Sequence, residues 1–139
     1  VIRALLHHLF VKRKEAVITD MEAGIEHMGR ATAEHVETML IVTDASLKAL
    51  ETAKKLYGLS QQMSIKESFI VGNKITSQHE SELIEQFANQ NNIPLLGIVP
   101  FDEKVTEADR QGESPLKNAR QSIGVKAIHK LGEKLLENK

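Results

Sequence analysis

The sequence predicts an α/β protein with a parallel sheet and helices on both faces. Three observations predict it. Its candidate strands are short runs, apolar almost throughout, which suits strands covered on both sides. Segments with apolar residues at helical spacing separate those runs, and such alternation is the mark of βα units. The runs also end in polar or turn-forming residues, at Asp20 to Gly24, Asp44 to Leu47, Gly72 to Lys74 and Pro100 to Asp102. These carboxyl ends are where parallel sheets of this kind bind ligands.

In chain order, Ile2, Leu5, Leu6, Leu9 and Phe10 stand at helical spacing, and Lys12-Arg13-Lys14 follows where a helix end favours cations. "AVITD" (16–20) reads as a first strand and "VETMLIVTD" (36–44) as a second, stronger one. Residues 46–60 read as a helix with Ala49, Leu50, Ala53, Leu56 and Tyr57 on one face, Ser46 as N-cap and Gly58 as stop. "SFIVGNK" (68–74) is a third strand. Residues 77–92 are a helix with Leu83, Ile84, Phe87 and Ala88 inward, closed by Asn91 and Asn92. "PLLGIVP" (94–100) is the fourth strand, and a short helical turn runs from Glu103 to Asp109. A last helix near 119–137 turns Val125, Ile128, Leu131 and Leu135 inward. No repeat or second domain interrupts residues 1–139, which form one domain.

Composition narrows the function. Hydrophobic residues make up 41% and charged residues 27% of 139, an ordinary globular balance. The formal net charge of -1 and the 4% of aromatic residues give no general attraction to nucleic acid or anionic membrane. No apolar run approaches the roughly 20 residues of a membrane span. There is no cysteine, so these residues supply neither disulfides nor thiolate ligands, in keeping with a reducing cytoplasm. The six histidines include no HExxH pair.

Three places carry chemistry. A strand-terminal Asp20 has the hard oxygen ligands that Mg²⁺ takes, usually through water. Gly24, four residues on, lets backbone approach a terminal phosphate. A capping turn is the competing account of both. Asn73, after a buried strand, has the donor and acceptors to read a purine edge, and equally the means to close an Asx turn. Pro100 fixes the backbone at the next strand end, and Asp102 is placed either to support a flat base or to cap the helix after it.

Taken together, "DMEAGIEHMGR" (20–30), "TDASLKALETA" (43–53), "NKI" (73–75) and "VPFDEKVTEADRQGESPL" (99–116) resemble the C-terminal part of CooC-type ATPases. These are carbon monoxide dehydrogenase maturation factors in the MinD/ParA and nitrogenase-iron-protein group of deviant P-loop proteins. The resemblance implies a P-loop NTPase-type sheet whose N-terminal half, with the phosphate loop and the paired-cysteine nickel site, precedes Val1. No G-x-x-x-x-G-K-[ST] or deviant lysine-containing version occurs in the 139 residues. It further implies that Asp20 serves the Mg²⁺ site and Gly24 the γ-phosphate. Asn73, Lys74, Pro100, Phe101 and Asp102 would hold the adenine of ATP or ADP. The expected function is that of an ATP-binding and ATP-hydrolysing accessory protein for nickel insertion into carbon monoxide dehydrogenase or acetyl-CoA synthase, with little turnover by this chain alone. The expected partners are a second copy or a separate N-terminal half, together with that client enzyme, and neither nucleic acid nor membrane. The alternatives are an interaction scaffold without turnover and a MinD/ParA-like positioning ATPase.

Overall fold

The structure, a computed structural model, describes residues 16–21 and 36–137. Three parallel strands form the sheet in spatial order β1 (Thr38–Thr43), β2 (Glu67–Ile75), β3 (Leu95–Pro100). Helix α1 (Leu47–Gln62) connects β1 to β2, and α2 (Gln78–Gln90) connects β2 to β3. After β3 come the short helices α3 (Glu103–Arg110) and α4 (Pro115–Asn118), then α5 (Ile123–Glu137). Parallel neighbours require crossovers of this kind, because a tight hairpin reverses direction.

Both faces of the sheet carry helices, although on the α5 side Leu40 and Val42 of β1 stay exposed among the described residues. On one face Ile41, Ile70 and Ile75 meet Leu50, Ala53 and Leu56 of α1 and Ile84 of α2 in one core cluster. On the other, Val71, Leu96 and Val99 pack with Ala127, Leu131 and Leu135 of α5. Successive strand residues point to opposite faces, so Ile70 and Val71 belong to different cores. Gly72 leaves room for two isoleucines: a Cβ there would lie 2.6 Å from Ile98 Cδ1 and 2.9 Å from Ile84 Cδ1.

The structure departs from the sequence reading at five points. Residues 16–21 form no strand. They are exposed, Ile18 at 93%, and no described strand pairs with them, so the apolar run gains neither ladder nor core there. The sheet accordingly has three strands among the described residues where four were expected. Gly58 does not stop α1, which continues to Gln62 because Ser60 is fully buried one turn beyond Leu56. The reversal falls instead at Ser64, φ 59°, with Ile65 N–H donating to Ser60 O. Leu83 is 37% exposed, since Ile84 and Ala88 make the buried line of α2. Ile128 is 55% exposed: α5 begins at Ile123 rather than near 119, and Ala127, Leu131 and Leu135 face the sheet at i, i+4, i+8. The helix expected over residues 2–14, with its basic end, and the histidines at 7, 8, 27 and 35 lie outside the described residues.

Candidate nucleotide-base corner

The carboxyl ends of β2 and β3 converge on one corner. β2 leaves regular pairing after Gly72 and rejoins β3 at Ile75, opposite Pro100. The intervening bulge carries Asn73 and Lys74. Lys74 has φ 57°, a left-handed conformation that costs a non-glycine residue and that clusters at functional sites. Phe101 N–H donates to Ile75 O at 2.8 Å and ties the end of β3 to the end of the bulge. Asn73, Lys74, Pro100, Phe101 and Asp102, spread over thirty residues of sequence, are thereby brought together. Asn73 is half-buried and its side chain makes no hydrogen bond with a described residue, so the side-chain amide keeps both donors and its acceptor. Phe101 is 44% exposed.

Asp102 is the most heavily engaged side chain of the corner. Its Oδ1 accepts from Lys104 N–H at 3.0 Å and caps α3; its Oδ2 accepts from Gly124 N–H at 2.8 Å at the start of α5. The carboxyl is held below the usual carboxylate range, first by the adjacent Ser122 hydroxyl and then by the N–H groups of Gly124 and Lys104. The Ser122 hydroxyl is buried and stops short of hydrogen-bond geometry with any neighbour, so the two backbone bonds are the firm contacts. Gly124 permits the approach: a Cβ there would stand 2.9 Å from Asp102 Cβ. Sequence reasoning placed Asp102 as a cap or a base support and missed Gly124 and Ser122. The signal was Gly124 itself, a glycine in the first turn of a helix, where propensity disfavours it.

Two further carboxylates line the same end of the sheet. Glu80 accepts from Thr76 N–H at 2.7 Å and from the Thr76 hydroxyl at 2.9 Å, bonds that lower its pKa in that order. Asp44 accepts from Ser46 N–H at 2.8 Å, and the Ser46 hydroxyl and then that N–H hold its carboxyl down. All three acids thus sit ionised against fixed N–H groups at turns and helix starts.

Asp20 is exposed and makes no hydrogen bond or ion pair with the corner or with any other described residue. Gly24 lies outside the described residues. No group of three or more His, Cys, Asp or Glu side chains with metal-binding geometry occurs among the described residues. A concavity of about 290 Å³ lies between β1 and α1, lined by Ile41, Val42, Ala49 and Leu56 among others, and not at the corner. No helix among the described residues is long and apolar enough to cross a membrane.

Three parallel strands with helices on both faces, and a bulged, proline-closed corner at the carboxyl end of the sheet, define an α/β protein of the parallel-sheet class. The chain belongs to the NifH/frxC family: the model described as "4Fe-4S iron sulfur cluster binding proteins, NifH/frxC family" matches residues 24–139. It is 42% identical to the carbon monoxide dehydrogenase accessory protein CooC of Rhodospirillum rubrum, over 81% of this chain and 42% of that protein. It is 40% identical to an uncharacterized ATP-binding protein of Methanocaldococcus jannaschii, over 81% of this chain and 44% of the other. Its fold matches the MinD cell division protein of Aquifex aeolicus with a TM-score of 0.69 at 18% identity, covering 82% of this chain and 50% of that one. The chain thus spans a little under half the length of each of these two relatives. Iron–sulfur clusters of this family's kind are held by cysteine thiolates. With no cysteine, the residues present do not fit the cluster in the family's description.

Proposed function

We propose that this chain forms the base-side part of an ATP-binding and ATP-hydrolysing accessory protein that serves nickel insertion into carbon monoxide dehydrogenase or acetyl-CoA synthase. One observation carries the nucleotide reading: the Phe101–Ile75 hydrogen bond sets the unpaired Asn73 amide beside the Pro100–Asp102 corner. An amide that offers both donor and acceptor, next to exposed backbone and a half-exposed aromatic ring, suits the edge and face of a purine. The likeness to CooC supports the rest.

In this reading Asn73 hydrogen-bonds adenine, Lys74 flanks it, and Pro100, Phe101 and Asp102 support it from the β3 side. Asp20 would hold Mg²⁺ through water and Gly24 would offer its N–H to the γ-phosphate; the chemistry that the ion would supply there is neutralisation of phosphate charge. Phosphate-loop amides and lysine come from outside these 139 residues, supplied by a separate N-terminal half or by further chain. ATP-dependent dimerisation and cytoplasmic location complete the proposal. Nickel is cargo, and its thiolate ligands likewise lie outside this chain.

Deleting the gene in a host that makes carbon monoxide dehydrogenase tests the function. The nickel content of the purified enzyme should fall severalfold and recover when the wild-type gene is returned, but not with Asn73→Ala. Unchanged nickel content in the deletion strain would contradict the proposal. The fold likeness to MinD leaves a positioning ATPase as the second reading. Septum placement altered in the same strain, with nickel content intact, would favour it.

A further inference from the structure

We propose that Asp102 is a positioning residue that sets the base corner through α5, with Gly124 and Ser122 as its counterparts, rather than by reaching the base itself. The proposal rests on the corner being the base site. Each oxygen of the carboxylate already holds a backbone N–H: Lys104 in the helix just after the corner, and Gly124, which is 22 residues beyond Asp102. One side chain therefore joins the end of β3 to the starts of two helices. The same corner is tied to β2 through Phe101 N–H and Ile75 O. Pro100 leaves little rotation before Phe101.

The fit around the latch is close. A methyl group on Gly124 would meet Asp102 Cβ at 2.9 Å and Oδ2 at 3.0 Å, the oxygen that accepts from the Gly124 N–H. Ser122 is 7% exposed, with its hydroxyl buried and unpartnered beside the carboxylate, so it lends a dipole without competing for Gly124. α5 is itself seated on the sheet by Leu131 and Leu135, and Lys134 Nζ donates to Leu96 O in β3 at 2.8 Å. The position of α5 is thus fixed independently of the corner, and Asp102 refers the corner to it. Releasing the latch frees Phe101 and the Pro100–Asp102 backbone while leaving the sheet intact. A plain helix cap would change stability and nothing else.

The test uses the 139-residue chain, isotope-labelled, with ATP added at millimolar concentrations and each variant confirmed folded by circular dichroism at the working temperature. The wild type should show saturable shifts at Asn73 and Phe101. In Asp102→Asn and Gly124→Ala the Kd for ATP should rise by about fivefold, the size expected for one lost hydrogen bond of ordinary strength. Exchange of the Phe101 amide should speed up, while that of Ile93, bonded to Ala88 O in the far loop, should not. Ser122→Ala, the mildest change, should give the same pattern at smaller size and covers the case in which another variant fails to fold. Unchanged Kd with a lowered Tm would overturn the proposal and leave Asp102 as a cap. Faster Phe101 exchange in a chain whose wild type shows no ATP-dependent shift would instead overturn the base-site reading, with the latch itself intact.

Discussion

Asp102 and Gly72 show how single residues hold the corner. The carboxylate of Asp102 gains its N–H partners only on folding, so its folded pKa falls below the ordinary value near 3.8. A lowered folded pKa gives stability that is fully present above the unfolded value and is lost as pH falls through the folded one. Asp102→Asn should therefore lower Tm by a constant amount between about pH 5 and 7, and the gap from wild type should shrink below about pH 4. Thermal melts across that range check the sign; a gap that widens in acid would contradict it. Gly72 has no titratable group and acts by space alone. Gly72→Ala drives a methyl group into Ile98 and Ile84, and overpacking of that sort costs roughly 1–3 kcal/mol, measurable by urea unfolding. Of the two, Asp102 was legible in sequence as a residue of importance, because Pro-x-Asp before a helical pattern is a capping signal. Its second partner was not, since nothing local in sequence marks a contact twenty-two residues away.

The helices follow their sequence signals unevenly, and capping explains the difference. Ser77 caps α2 with its hydroxyl accepting from Glu80 N–H at 3.2 Å, and Ser46 caps α1 through Ala49 N–H at 3.4 Å. Ser114, before the one-turn α4, makes no side-chain cap bond. Ser77→Ala should destabilise by about 1 kcal/mol, and Ser114→Ala should stay within about 0.5 kcal/mol; chemical denaturation of the pair checks the contrast. These starts were legible because an N-cap is a local pattern. The run of α1 through Gly58 was not, because burial of Ser60 is a tertiary matter that overrides a glycine's preference. The phase of α5 was misread for a related cause. A helix shifted by a few residues turns a different stripe to the sheet, and both Ile128 and Ala127 are apolar enough to serve.

The whole molecule is a parallel sheet that was legible from apolar runs alternating with helical spacing, a pattern that depends on burial of both faces rather than on any one residue. Segment 16–21 was not, because a strand is defined by its neighbour, and sequence shows the run without the neighbour. A base-edge site offers a few hydrogen bonds worth roughly 0.5–1.5 kcal/mol each, against an association cost of about 4 kcal/mol or more. This chain alone should therefore bind ATP with a Kd in the millimolar range or weaker. β1 also leaves one edge unpaired among the described residues, with Leu40 42% and Val42 60% exposed beside it. Such an edge favours pairing with another chain, and light scattering should show a mass above that of one chain at high concentration. A steady monomer would count against this.

The central claim is that Asn73 and the Pro100–Asp102 corner receive the base of ATP. The most direct measurement is a residue-resolved NMR titration of this chain with ATP, and with GTP for comparison. Weak, saturable shifts are expected at Asn73, Lys74, Phe101 and their neighbours alone, larger for ATP than for GTP and diminished by Asn73→Ala. Micromolar binding, or shifts centred away from this corner with Asn73 and Phe101 unmoved, would contradict it.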